Sequence, residues 1–545
     1  MKLADLAPAR LDPLPPVDDA WQALERAQSG DPQAFRSVVM DPQIGNWAAY
    51  VVRMHLAGTS QDPPWVTFGQ LHAVALVAAS RAGRTWRTRV PLRDGHATLP
   101  GLGQARFDGA RRWEFADAET AAGQIRIRRR NTTVTVPGDP RNDVPGWRGL
   151  RTLTAGHDPV LQVSMQDLDP FRNLADPIGP ERLTDDEVAH WQSMLDQAWD
   201  LLCRDDSATA RALAMTVSSL TPLARADHVD EYEIRSASSG EAFGAMVLSS
   251  PHDSVDLAAT LVHEYQHIKL GCLMHLLPLH RGEGRSNLYA PWRDDPRPLG
   301  GLLQGVYAFR GIAAFYRNRA RSARGMDRRA ALYTYALTRG QTAEGLAVAR
   351  ASGDLTDLGE EFLDGLAATM RPWFDDEIPA DIRRLAGLAA QAHRVTWLLR
   401  HRHPAPESVA AVRDAWTAGA PFDEIATRAA SVQPTTVTPK RSRIWSTPLR
   451  QAVKAPPPAN TPETALIAGD AEGAKKGFLP RIESDPADMV AWAGLAMAYN
   501  EAGPAGSGYA LASRPDLIAA VYRELRAGGA APGPDALAEW ACHRE

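Results

Sequence analysis

The 545-residue chain is 44% hydrophobic and 23% charged, an ordinary globular composition that argues against wholesale disorder and has room for roughly two to four domains or one large irregular one. A formal net charge of −5 gives no overall attraction to nucleic acid, and the three scattered cysteines, Cys203, Cys272 and Cys542, form no C-x-x-C pair of the kind a disulfide framework or zinc finger uses. No apolar run reaches the length of about 18 residues that would span a membrane, and the N-terminal stretch has no unbroken apolar core, so no membrane partner is expected and a reducing cytoplasm is the expected location.

In chain order, residues 18 to 83 read as helices: DDAWQALERAQ, GNWAAYVVRMHLAG and the almost wholly apolar FGQLHAVALVAASRAG, which predicts burial. His72 falls in that buried segment and reads as a core histidine with satisfied ring nitrogens. From 84 to about 170 the period changes to two. TWRTRVPLRDGHATLPGLG alternates about an Asp94-Gly95 turn, IRIRRRNTTVTV places Ile125 and Ile127 between arginines, and VLQVSMQDLD alternates Leu161, Val163 and Met165, all signs of strands and hairpins. Arg126, Arg128, Arg129 and Arg130 there suit a solvated strand face, with an anionic ligand as the sharper alternative.

Residues 184 to 205 form an amphipathic helix opened by the capping box Thr184-x-x-Glu187. ALAMTVSSLTPL and EAFGAMVLSS read as strands, and Gly244 to Ser249 is the expected place for a substrate backbone to dock. Next comes SVDLAATLVHEYQHIKLGCLMHLLPLH, with His263, Glu264 and His267 in an H-E-x-x-H pattern. Leu257, Leu261, Tyr265, Ile268 and Cys272 supply the apolar stripe of a helix, Asp253 or Ser254 its cap, and Pro278 its end. At about 100° per residue, imidazoles four apart share a face and can hold one metal ion, while Glu264 could act as general base, ligand or hydrogen-bonding support. His275 and His280 follow too closely, at the helix end, to join them.

Downstream, RSNLYAPWRDDPRPLGG is a loop whose Arg293 and Arg297 suit a bidentate grip on a carboxylate, or else pair with Asp294 and Asp295 to staple the loop. Helices follow at GLLQGVYAFRGIAAFYRNRAR, 328–352, 358–371 and 380–401. Residues 433–463 have the Pro, Thr and basic content of a linker, and DPADMVAWAGLAMAYNEAG, in a last helical lobe, has the look of one half of a tetratricopeptide unit but, as a single copy cannot build a solenoid, reads as simple helix packing. The chain is therefore expected to be α+β and predominantly α, with a helical N-terminal lobe (1–83), a β-rich middle segment (84–175), a helical catalytic region on a zincin-like H-E-x-x-H helix (176–432), the linker, and a helical C-terminal lobe (464–545).

LAATLVHEYQHIKL, YAPWRDDPRPLGGLLQGVYAF, WAGLAMAYN and SRPDLIAAVYREL, with weaker likeness in DPQIGNWAAYVVR and RDGHATLPGLG, resemble a bacterial family of H-E-x-x-H peptide β-hydroxylases of ribosomal peptide natural-product maturation. The resemblance implies Fe(II) and 2-oxoglutarate as cofactors and a precursor peptide as substrate. It carries over His263, Glu264 and His267 as motif positions and Arg293, Arg297 and Gln304 as matched residues. A facial triad needs a third ligand, for which Gln304 is the first candidate and Glu283 and Asp295 are rivals. The motif alone also fits a zinc metallopeptidase with Glu264 as base, and a non-catalytic peptide-binding scaffold is the third reading; the longer H-E-x-x-H-x-x-G-x-x-H pattern is missing.

Overall fold

In the computed structural model, which describes residues 6, 11–58, 62–173, 176–223, 235–251, 253–282, 287–422, 430–433, 443–502, 509–529 and 532–542, the chain forms two compact units, Met1–Cys272 and Leu273–Glu545. It is an α+β protein and predominantly α.

The first unit begins with helices α1 (Val17–Gly30), α2 (Pro32–Val39), α3 (Pro42–Ala57) and α4 (Gln70–Arg81). Asp31 and Asp41 cap α2 and α3 with their carboxylates, each ahead of a proline whose fixed φ suits a first helical turn. As its composition predicts, α4 is buried from Gln70 to Ser80. It packs on a seven-stranded antiparallel sheet of order β6-β5-β4-β1-β2-β3-β7. The strands are β1 (Trp86–Arg93), β2 (His96–Leu99), β3 (Gly103–Arg106), β4 (Trp113–Ala121), β5 (Gln124–Arg129), β6 (Thr132–Thr135) and β7 (Trp147–Gly149). Asp94 and Gly95 both take positive φ, 47° and 80°, as the predicted tight hairpin requires. His72 donates from Nε2 to the Pro15 carbonyl (3.1 Å) and accepts the Thr88 hydroxyl at Nδ1 (2.8 Å), and burial lowers its pKa to about 4.

The arginines of β5 divide by face. In register, Arg87, Glu119 and Arg126 form one row across β1, β4 and β5, and Arg89, Asp117 and Arg128 form the next. Arg87 pairs with Glu119 at 3.1 Å, and Asp117 takes both Arg89 (3.3 Å) and Arg128 (3.4 Å). Arg129 points the other way, is buried, and bonds Glu114 at 2.9 Å.

A second sheet of order β11-β12-β10-β9-β8 uses β8 (Arg151–Ala155), β9 (Leu161–Met165), β10 (Ser219–Leu223), β11 (Ser236–Ala237) and β12 (Ala245–Ser249). β10 runs parallel to both β9 and β12, whereas β8 and β11 are antiparallel to their neighbours. This sheet joins strands from both sides of the boundary expected at residue 175, so the β-rich segment and the start of the catalytic region are one structure. Between β9 and β10 run α5 (Asp185–Asp205), with the Thr184–Glu187 capping box formed, and α6 (Ser207–Thr216). The expected strand in ALAMTV is thus corrected to helix: Asp206 caps it by accepting from Thr209 N, and the strand starts only at Ser219. On one face of the sheet, α3 comes close enough for Gln43 Nε2 to donate to Ser219 Oγ (3.2 Å). Gly45 makes that approach possible, because a Cβ there would lie 1.9 Å from the Glu241 carbonyl oxygen.

Apart from an antiparallel pair of short strands, Arg402–Pro404 and Ala430–Val432, the second unit is helical: α8 (Leu299–Ser322), α9 (Gly325–Ala351), α10 (Asp357–Met370), α11 (Ala380–His401) and α12 (Pro406–Thr417), then α13 (Arg443–Ala452), α14 (Pro462–Ala468), α15 (Ala471–Ser484), α16 (Met489–Ala502), α17 (Pro515–Ala527) and α18 (Pro534–Cys542), with α7 (Ser254–Leu276) crossing the division between the units. The expected linker is corrected in part. Residues 443–452 are α13, with Trp445 and Leu449 buried, because their apolar groups recur at helical spacing amid the Pro and Thr; 434–442 lie outside the described residues. α16 packs on α15, in keeping with the simple helix packing expected of DPADMVAWAGLAMAYNEAG.

Candidate metal centre

Asp253 opens α7 by accepting the N–H groups of Val255 (2.7 Å) and Asp256 (3.0 Å) with Oδ1, and Leu257, Leu261, Tyr265 and Ile268 are buried as their spacing predicts. This fixes the face on which His263 and His267 stand. Their Nε2 atoms lie 3.1 Å apart with the rings nearly perpendicular, at 87°. Two nitrogens at that separation, each about 2.1 Å from a shared ion, subtend about 95° at it, close to the cis angle of octahedral coordination. Burial and the neighbouring His267 lower the His263 pKa to about 3, so its imidazole is neutral and keeps a lone pair for a metal. The two side chains fit a metal ion by their spacing, and the neutral His263 offers it a lone pair. Among the described residues there is no group of three or more His, Cys, Asp or Glu side chains that could hold one.

Glu264 is 2% exposed. Its Oε1 accepts a hydrogen bond from Ser236 Oγ at 2.6 Å, and its Oε2 has no partner among the described residues. Ser236 sits opposite Leu248, so it shares a sheet face with Leu248 and Met246, the face opposite to that of Ser219. α7 therefore lies over one side of the second sheet at its β11 edge, and α3 lies on the other. Nothing in the spacing of RSASSG marked Ser236; its signal is purely three-dimensional.

The docking strand expected at Gly244–Ser249 needs correction. β12 is an interior strand, paired along its length with β10 on one side and at Val247 and Leu248 with β11 on the other, so the edge nearest Glu264 is β11.

The remaining predicted residues belong to the second unit. Leu288 and Arg297 close the 288–297 loop by mutual backbone hydrogen bonds of 3.0 and 2.9 Å. Arg293 Nε donates to Asp295 Oδ1 (2.8 Å) and Arg297 Nη1 to Asp295 Oδ2 (3.3 Å), so the stapling role weighed from the sequence is present. Burial opposes the charge on Asp295, but the bonds from Arg293 and Arg297 outweigh it and hold the carboxyl below its usual range. Arg297 also lies over Gly301 in the first turn of α8, where no side chain caps the helix. Gln304 on α8 has its amide nitrogen 3.6 Å from the sulfur of Met274. Tyr289, buried in the same loop, has its hydroxyl 2.9 Å from His393 Nδ1, and His401 Nε2 bonds the Asp294 carbonyl; none of these anchors was foreseen from the sequence. Glu283 lies outside the described residues. The structure thus brings His263, Glu264 and His267 together on α7, and Arg293, Asp295 and Arg297 together in the loop before α8.

Compared with known proteins, the chain matches no protein-family model, and no curated protein matches it.

Proposed function

We propose that this protein is an iron- and 2-oxoglutarate-dependent oxygenase that β-hydroxylates a residue of a ribosomally synthesised precursor peptide. The supporting observation is the 3.1 Å separation of the His263 and His267 Nε2 atoms on a helix whose motif resembles that family. In this reading His263 and His267 hold the iron, Glu264 orients a proton donor with its Oε2, which has no partner among the described residues, and the Arg297 guanidinium, with Arg293 beside it, binds the keto acid's distal carboxylate. Gln304 is the proposed third ligand. When bound, iron and 2-oxoglutarate supply the oxidant: the keto acid leaves as succinate and CO₂, one oxygen atom of O₂ enters succinate and the other a peptide C–H bond. The chain's own work is to position the β-carbon and keep water out.

A zinc peptidase is the second reading, favoured by one observation. Glu264 is tied to an antiparallel edge strand, β11, and such an edge can pair with an extended peptide. The two readings respond oppositely to the metal. Anaerobically purified protein given Fe(II), 2-oxoglutarate, O₂ and the peptide should add one oxygen atom to it and release equal succinate, and Zn²⁺ should inhibit because it has no accessible redox change. Arg297→Lys should weaken 2-oxoglutarate binding by roughly tenfold, since a point charge cannot reproduce a bidentate fork. Intact-mass spectrometry decides: peptide fragments with zinc and no oxygen gain with iron would establish the peptidase instead.

A further inference from the structure

The Ser236–Glu264 contact joins two parts of the first unit that the sequence separates by 28 positions, the sheet edge and the metal helix. We infer that Ser236 is a positioning residue of the metal centre: it holds one oxygen of the Glu264 carboxylate so that the other is presented to a proton donor held at the metal. The inference rests on the metal reading above and extends it to the strand that carries the serine.

A carboxylate that is 2% exposed is costly unless hydrogen bonds or charge compensate it. At 2.6 Å the serine contact is in the short range typical of an O–H group donating to an ionised acceptor. It is the contact that compensates Oε1, whereas Oε2 has no partner among the described residues and is the atom available to a ligand. The chemical class of that ligand is set by what a carboxylate accepts from, an O–H or N–H group such as water or a peptide amide.

The strand does not leave Ser236 free to drift. Its neighbour Arg235 donates its N–H to Ser249 Oγ (2.9 Å) and accepts from Ser249 N (2.8 Å), and Ser236 and Ala237 are in register with Leu248 and Val247 of β12. The hydroxyl is therefore delivered from a fixed backbone. Without it, Glu264 can rotate about its last torsion and Oε2 loses its defined direction.

Cobalt(II) alone is the probe, because its visible absorption reports the ligand field without any turnover. Threonine and valine at position 236 are nearly isosteric and both suit a strand, but only threonine keeps a hydroxyl, so the pair remains informative even where Ser236→Ala fails to fold. Ser236→Val and Ser236→Ala should bind cobalt with the stoichiometry of the unaltered protein but with a changed spectrum, and Ser236→Thr should restore it. Glu264→Gln should change the spectrum too, and adding Ser236→Ala to it should change nothing more. Succinate release should fall roughly tenfold in Ser236→Val, with the KM for 2-oxoglutarate unchanged, and recover in Ser236→Thr. Spectra and rates in Ser236→Val that equal those of the unaltered protein, or effects of Ser236→Ala and Glu264→Gln that add in full, would overturn the inference. An unaltered protein that takes up no cobalt ends the metal reading and this one with it. One that binds cobalt with a Ser236-sensitive spectrum, yet releases no succinate, sustains the role of Ser236 and ends the oxygenase reading.

Discussion

A pair of imidazoles one helical turn apart gains its affinity for a metal from geometry, and the geometry here is set by packing on the opposite side of α7. Removing the imidazoles therefore removes the ion without removing the fold. In the double variant His263→Ala/His267→Ala, bound metal should fall to background while the far-ultraviolet circular dichroism stays that of the unaltered protein, since neither ring belongs to the apolar stripe of Leu257, Leu261 and Ile268. Retained stoichiometric metal would refute the site. His72 makes a prediction of a different kind. Its folded pKa, about 4, lies below the ordinary 6.5, so between those values the unfolded chain binds the extra proton. Stability must then fall as the pH drops from 6.5 to 4, by on the order of 3 kcal/mol for this residue. Chemical denaturation across that range should show the loss in the unaltered protein and a shallower slope in His72→Gln. The bland reading of His72 and the metal reading of His263 came from the same residue type. What separated them in the sequence was a second histidine at four positions' distance.

Elements with strong periodicity were legible: α5, α7, α8 and the β1–β2 hairpin stand close to where their apolar spacing and turn residues put them. Elements decided by distant partners were not. ALAMTV is apolar enough for either state, and the Asp206 cap rather than composition makes it helix. β12 reads like any half-buried strand, because nothing in AMVLS tells that two neighbours flank it. The 288–297 loop was legible as a loop, but its anchoring was not, since it depends on glycines in other elements. Trp292 stacks on Phe309 at 4.6 Å and occupies the room left by Gly305 on α8 and Gly345 on α9. A Cβ on Gly305 would lie 2.3 Å from the indole ring, so Gly305→Ala should destabilise the protein by about 1–3 kcal/mol through overpacking, despite alanine's better helix propensity. A denaturation midpoint at or above that of the unaltered protein would show that the loop yields instead of the helix.

At the scale of the whole molecule, the division after Cys272 falls inside the helix that carries the motif, a boundary no composition shift announces. The second sheet explains why the sequence suggested a different one: it gathers β8 and β9 with β10 to β12 across two helices, and strand order is a long-range property that local pattern does not encode. The first sheet bears on how the molecule meets others. Its outer rows alternate in sign, Arg87–Glu119–Arg126 and Arg89–Asp117–Arg128, at strand spacings of about 4.8 Å, well inside the Debye length of about 8 Å at physiological salt. Such a pattern behaves at a distance as a multipole, and beyond the first layers of ions only the small surplus of positive charge is felt. An arginine-rich face is thus felt by an approaching anion as a charge of about +2 rather than about +4, because Glu119 and Asp117 cancel half of it. Encounters with it should be only weakly steered, with an on-rate that falls modestly as ionic strength rises.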